Sequence, residues 1–160
     1  MNNKERLCRR VAAVLQHRRL MLSTAESCTG GGVAHALTAL PGSSTWFDSG
    51  FVTYSNAAKQ AMLGVNAATL AAHGAVSLET AAEMADGAIR HQRAQIACSI
   101  TGIAGPSGGS ADKPVGTVCF GWALAGQDPV TAQHHLFGDR ERVREQAIGI
   151  ALQGILSLLN

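Results

Sequence analysis

Thr24-Ala25-Glu26-Ser27-Cys28-Thr29-Gly30-Gly31-Gly32 is the stretch that decides the fold. An apolar run, Leu20-Met21-Leu22, leads into it, and a helical pattern from Val33 to Leu40 follows. A strand that passes through a glycine turn into a helix leaves backbone N–H groups without intrahelical partners. Such amides, with the helix dipole, suit an anion or a developing oxyanion. The turn also carries Ser27, Cys28 and Thr29 as hydroxyl or thiol groups and Glu26 as a carboxylate. On a purely structural reading, Ser27 or Thr29 caps the helix and the glycines relieve strain.

Working outward, Leu7, Val11, Val14 and Leu15 recur at helical spacing, with Arg6, Arg9, Arg10 and Arg18 on other faces. This predicts an amphipathic first helix with a solvated arginine face. The turn's own strand is expected over Leu20–Ser27, and its helix should stop near Pro41-Gly42. Trp46–Ser55 reads as a strand centred on Phe51-Val52-Thr53-Tyr54. Asn56 would then cap a helix over Ala57–Leu63 closed by Gly64, with Lys59 its third residue. A short turn over Asn66–His73 precedes a helix from Leu78 to about Gln92, capped by Ser77, with Leu78, Ala81, Ala85, Ala88 and Ile89 on one face.

Ala94–Thr101 is a continuous apolar run suited to a central strand covered on both sides. A glycine-rich irregular stretch, Gly102 to Pro114, is long enough to suggest function. Val115–Leu124 and Val130–Phe137 form a hairpin pattern, and Asp139 opens a last helix with a stripe of Val143, Ala147, Ile150, Ala151 and Leu158. The expected architecture is a single α/β domain over 1–160, three-layer α/β/α on a mixed β-sheet with one C-terminal hairpin.

Composition narrows the class. Among 160 residues, 46% are apolar and 15% charged, which fits a globular core and leaves little for disordered tails. A net charge of +2 gives no broad surface for nucleic acid. Cys8, Cys28, Cys98 and Cys119 form no CxxC pair, so a reduced, cytoplasmic chain is expected. No run reaches membrane-spanning length. His17, His35, His73, His91, His134 and His135 show no metal-ligand spacing, and neither a GxxxxGK[ST] nor a GxGxxG can be written. Tyr54 and Lys59 are one residue too far apart for the Tyr/Lys pair of short-chain dehydrogenases.

Two cations stand out. Lys59 and Arg140 fall in the first turns of predicted helices, where the dipole disfavours them by roughly 0.3–1 kcal/mol. Each could simply reach water or pair locally, Arg140 with Asp139 or Glu141. Beside glycine-rich segments, an anion-binding or catalytic use competes with that reading. A helix terminus and partial burial lower a lysine's pKa, the direction a general base needs. A Ser–Lys pair with Tyr54 as relay can activate a hydroxyl without histidine.

Six segments together resemble one family: Thr24-Ala25-Glu26-Ser27-Cys28-Thr29-Gly30-Gly31, Pro41-Gly42-Ser43-Ser44, Gly50-Phe51-Val52-Thr53-Tyr54-Ser55-Asn56-Ala57-Ala58-Lys59, His73-Gly74-Ala75-Val76-Ser77, Thr101-Gly102-Ile103-Ala104-Gly105-Pro106 and Lys113-Pro114-Val115-Gly116-Thr117-Val118. In this order they are similar to the CinA C-terminal domain family, whose members include bacterial nicotinamide mononucleotide (NMN) amidohydrolases. The first helix and the 125–135 region are generic. The resemblance implies hydrolysis of the NMN carboxamide to nicotinate mononucleotide and ammonia, in pyridine nucleotide salvage; no cofactor is expected, and the lack of a ligand cluster in the sequence predicts that no metal is needed. It implies Ser27 as nucleophile with Lys59 and Tyr54 handling protons, and Thr29 and Ser44 as rival hydroxyls. Glu26, Thr29, Gly30, Gly31, Ser44, Thr101, Gly102 and Arg140 are the implied substrate-binding positions. Some members carry a further N-terminal domain resembling molybdopterin-binding proteins; this sequence has no counterpart, so that domain's activity is expected to be absent. A dimer is expected, with a small-molecule partner and neither membrane nor nucleic acid. The competing function is a non-catalytic pyridine-nucleotide-binding or competence-related interaction module.

Overall fold

The computed structural model describes residues 1–90 and 93–160. Helix α1 (Asn3–Arg18) starts at Asn2, whose side chain accepts from the Glu5 amide, and buries Leu7, Cys8, Val11 and Leu15. Its arginines at 6, 9, 10 and 18 are exposed, as the spacing predicts. Strand β1 (Leu22–Glu26) is buried along its whole length. The chain continues through α2 (Gly32–Thr38), β2 (Phe47–Val52), α3 (Asn56–Leu63), α4 (Ala67–His73) and α5 (Leu78–Arg90). Strands β3 (Ile96–Gly102), β4 (Thr117–Leu124) and β5 (Val130–His135) and helix α6 (Arg140–Leu159) complete it.

Among the described residues the strands form a mixed sheet in the order β2-β1-β3-β4-β5. The β2-β1-β3 part is parallel, and β3-β4-β5 is antiparallel. Side chains alternate across it. Leu22 of β1, with Ile96, Cys98 and Ile100 of β3 and Val118, Phe120 and Trp122 of β4, joins the core under α1, α2 and α6. Ala25 and Ala97 join Met84 and Ala88 of α5 and Leu63 of α3 on the opposite side. The result is the expected three-layer α/β/α arrangement, with the β4–β5 hairpin at the C-terminal edge. No helix among the described residues is long and apolar enough to cross a membrane.

Several local expectations shift. Ser55, not Asn56, caps α3, accepting from the Ala58 amide at 3.0 Å, so Asn56 opens the helix and Lys59 is its fourth residue. Strand β2 ends at Val52, leaving Thr53 and Tyr54 beyond it. Leu78 is 37% exposed because it opens α5 outside the sheet; Met84 and Gly87 take the buried positions instead. The predicted end of that helix near Gln92, and His91, lie outside the described residues. On α6 the buried stripe runs through Ile148, Leu152, Ile155, Leu156 and Leu159, while Ile150 and Leu158 are only half-buried. That helix packs on the sheet and on α1 at once, so its buried arc is wider and rotated from the predicted one.

Gly87 is where α5 lets α3 approach. A Cβ there would lie 2.0 Å from the Leu63 carbonyl oxygen, backbone that cannot swing aside. In an exposed helix, Gly→Ala gains roughly 0.8–1 kcal/mol. Gly87→Ala should instead destabilise by about 1–3 kcal/mol, lowering Tm by roughly 2–4 °C per kcal/mol. Urea and thermal unfolding check this; a stabilised variant would mean the two helices part without cost.

Candidate active site

At the end of β1, neighbouring residues face opposite ways. Glu26 points toward α2. Its carboxylate accepts from Thr29 Oγ1 at 2.6 Å, the Val33 amide at 2.9 Å and the Ala34 amide at 3.1 Å. The helix is therefore capped by the carboxylate from the preceding strand; Gly31, at φ 95°, is the cap residue and has no side chain to use. Neither Ser27 nor Thr29 caps it. A negative group at that terminus also complements the helix dipole. Glu26 is consequently a turn-fixing group rather than a wall of the cleft. Thr29, 1% exposed, donates its hydroxyl to Glu26.

Ser27 continues the ladder one residue further, its amide donating to the Ile100 carbonyl at 2.9 Å, while the Thr53 amide donates to the Glu26 carbonyl at 2.8 Å. Both neighbours of β1 are thus carried to the carboxyl end of the parallel strands, where open α/β sheets hold their ligands. From α3, Lys59 reaches across and donates Nζ to Ser27 Oγ at 3.1 Å and to the Thr53 carbonyl at 2.9 Å. It is 1% exposed, and no carboxylate pairs with it among the described residues. Burial lowers its pKa below the ordinary 10.5, with Cys28 opposing in part. Cys28 borders the same space, yet burial pushes its thiol up to about 11, so it remains protonated and weakly nucleophilic at neutral pH.

These groups open on a cleft of about 280 Å³ that also meets Tyr54, Thr101, Gly102, Arg140 and the 103–109 loop. Tyr54 is 61% exposed and does not stand between Ser27 and Lys59, which bond directly. Its hydroxyl accepts from Arg140 Nη2 at 2.9 Å, and Arg140 Nη1 donates to the Gly105 carbonyl at 2.8 Å. Arg140 pairs with neither Asp139 nor Glu141, the local partners that sequence offered; Asp139 instead accepts from the Arg142 amide. Thr101 donates its hydroxyl to the Ala75 carbonyl at 2.8 Å, and Lys113 Nζ to the His73 carbonyl at 2.6 Å, tying the far wall to the turn after α4.

The structure does not bring every predicted position together. Gly30 and Gly31 shape the turn behind the cleft rather than lining it. Ser44 is exposed in the short 3₁₀ turn Ser43–Thr45 ahead of β2, at the opposite end of the strands. The parallel pairing of Leu22 with Phe47 fixes that distance, since the cleft lies at the other end of β1. Asn56, Ala75 and Val76 also line the cleft and are not among the predicted site positions. Arg144 was missed as well; it donates Nε to the Cys28 carbonyl at 3.1 Å and Nη2 to the Thr29 carbonyl at 3.3 Å. Its signal was its place one helical turn after Arg140.

Comparison with known proteins points one way. A family model described as the CinA C-terminal domain matches residues 4–159. The nicotinamide-nucleotide amidohydrolase PncC of Escherichia coli (strain K12) is 53% identical over 147 residues, covering 92% of this chain and 89% of that protein. The protein of that name from Pseudomonas putida is 45% identical, over 95% of this chain and 94% of its own. Among solved structures, the competence/damage inducible protein CihA from Agrobacterium tumefaciens superposes with a TM-score of 0.96 at 43% identity, covering 100% of this chain and 98% of that one.

A lysine so enclosed, with only neutral acceptors, weakens the fold. Its folded pKa lies below 10.5, so between those two values the unfolded chain holds the extra proton and stability rises with pH. At pH 7 the cost of enclosing the ammonium is present. Lys59→Met should therefore raise stability at pH 7 by roughly 1 kcal/mol or more, and this gain should shrink as pH approaches 10.5. Denaturant melts at several pH values test it. A methionine variant that is less stable at every pH would show that the lysine's two hydrogen bonds outweigh its desolvation.

Proposed function

The chain belongs to the CinA C-terminal domain family, and from that membership and the site geometry we propose that it hydrolyses the carboxamide of NMN to nicotinate mononucleotide and ammonia. The observation that carries the mechanism is the buried hydrogen bond between Lys59 and Ser27 at the mouth of the glycine turn. Neutral Lys59 takes the Ser27 proton as Oγ bonds to the carboxamide carbon, and the carbonyl electron pair moves onto its oxygen. Collapse of that oxyanion breaks the C–N bond, and the proton held by Lys59 leaves with the nitrogen as ammonia. Water, deprotonated by Lys59, then adds to the ester carbon, and the C–Oγ bond breaks as Lys59 returns that proton to Ser27 Oγ, releasing the product acid, which ionises to the carboxylate. The lowered pKa of Lys59 supports this role, since a base must be unprotonated to begin.

Arg140 is assigned to the substrate's 5′-phosphate. Among the described residues its guanidinium donates to the Gly105 carbonyl and the Tyr54 hydroxyl and pairs with no carboxylate, which leaves its charge uncompensated at the cleft wall. Tyr54 holds that guanidinium in place, which gives the phenol a part in binding; proton relay is not needed where Lys59 already touches Ser27.

Ammonia should appear in step with nicotinate mononucleotide when the protein meets NMN. Ser27→Ala should lose roughly 10³-fold or more in kcat while remaining folded. Lys59→Arg should be as poor, because arginine does not give up its proton at usable pH. kcat/KM should rise with pH through an ionisation below 10.5. NMN that binds without ammonia release would instead favour a nucleotide-binding module.

Arg140→Ala should lower kcat/KM for NMN about ten- to two-hundred-fold, the equivalent of one charge-assisted contact. Nicotinamide riboside, lacking the phosphate, should be a poor substrate for both proteins and hardly respond to the change. An equal loss on both substrates would remove the phosphate assignment.

A further inference from the structure

The geometry points to Arg144 as a positioning residue for the amide that holds the oxyanion, an inference that rests on reading Ser27 as the attacking group. Arg140, Arg144 and Ile148 follow one another at single-turn intervals along α6 and form one stripe. Arg140 reaches the Gly105 carbonyl, Arg144 reaches the Cys28 and Thr29 carbonyls, and Ile148 lies where a side chain on Gly32 would be. Arg144 has no carboxylate partner among the described residues, because nearby Glu145 pairs with Lys4 at 3.0 Å. Its charge is directed at two peptide oxygens behind the nucleophile.

A trans peptide is planar, and its N–H points opposite to its C=O. The cis bond of the described chain is Gly105–Pro106, so the Cys28–Thr29 peptide is trans. With the Cys28 oxygen held by Arg144, the Thr29 N–H of the same plane is aimed away from that guanidinium. The next amide, Gly30, is already spent on the Ser27 carbonyl at 3.0 Å. The Thr29 N–H has no acceptor among the described residues, although Thr29 is only 1% exposed. An enclosed amide without a partner is costly unless a ligand supplies the acceptor. A cation on the carbonyl of that same peptide also polarises it and strengthens its N–H as a donor.

Gly30 fits this arrangement. It has φ 58°, and a Cβ there would lie 3.3 Å from Arg144 Nη2, pressing on the guanidinium. The glycine predicted to touch substrate makes room for the arginine instead. Arg144 touches no reacting atom: it holds the Cys28–Thr29 peptide so that the Thr29 amide receives the oxygen that gains the carbonyl electron pair.

The test uses the full chain with Arg144→Met, which keeps length without hydrogen bonds, and Arg144→Lys, which keeps charge and one bond. Loss of a whole oxyanion donor costs roughly 10²–10³ in kcat, so a mis-set donor should cost about ten- to a hundred-fold in Arg144→Met. KM for NMN should move less than about twofold, and Arg144→Lys should recover part of kcat. A second readout avoids NMN: the rate at which p-nitrophenyl acetate acylates Ser27, read as a burst and as added mass, should fall in the same order. The proposal is overturned if kcat per folded molecule is unchanged, if KM rises with kcat intact, or if Arg144→Met acylates at the wild-type rate. Should wild type acylate yet release no ammonia from NMN, the substrate reading fails while the acylation rates still decide the role of Arg144. A wild type that does neither removes the Ser27 assignment and this inference with it.

Discussion

Successive residues of a strand face opposite sides of its sheet, and the last two positions around β1 turn that constraint into a division of labour. Glu26 faces α2 and closes the helix from behind, taking the Thr29 hydroxyl and two helix amides. Ser27, one residue on, faces α3 and meets Lys59. Slipping the register by one residue would exchange these faces, leaving the helix uncapped and a carboxylate beside the lysine. Such a carboxylate would raise the lysine's pKa, opposing the burial that now lowers it. The parallel pairing of β1 with β2 and β3 on both flanks is therefore part of the chemistry as well as of the fold.

Lys59 shows what that arrangement costs. Its buried Nζ meets two neutral oxygen acceptors, Ser27 Oγ and the Thr53 carbonyl. The close passage of α5 at Gly87 fixes how deeply α3 can sit, and hence how far Lys59 is withdrawn from water. A looser helix pair would admit water and return the lysine toward its ordinary pKa. Packing between two helices of one layer thereby bears on the protonation of the lysine beside Ser27.

Much of this was legible in residue order because the signals were local. Glycine after an apolar run, small residues at caps, and helical spacing located most elements and the Ser27 turn. The continuous apolar stretch at Ala94–Thr101 gave the central strand for the same reason. What escaped depends on three-dimensional neighbours. Nothing local says that Glu26 reaches forward to Val33 and Ala34, or that Ser44 stands at the far end of the strands. Leu78 has the right helical phase and still lies outside the sheet, because phase does not report where a helix begins relative to its partner. Tyr54 was expected to relay protons for the Ser27–Lys59 pair; both residues line the cleft, but the phenol bonds to Arg140 while Lys59 bonds to Ser27 directly.

Helix α6 carries the same lesson in the opposite sense. Read alone, Arg140, Arg142 and Arg144 in its opening turns, among Glu141 and Glu145, look like a solvated charged face. Placed against the 28–32 turn, every fourth residue becomes an inward contact: a guanidinium on the loop carbonyl, a second on the turn carbonyls, then an aliphatic chain over Gly32. Arg142 lies off that line and is exposed. The cation at 140 opposes the helix dipole at its amino end, a cost of roughly 0.3–1 kcal/mol. Carbonyl oxygens offset that cost, because their negative ends face the guanidinium groups. One helix thereby sets two things at once, the charge at the cleft mouth and the direction of the peptide that follows Ser27. A shift of α6 along its axis would disturb both together, so under the proposed roles it would couple substrate binding to oxyanion placement through a single rigid element.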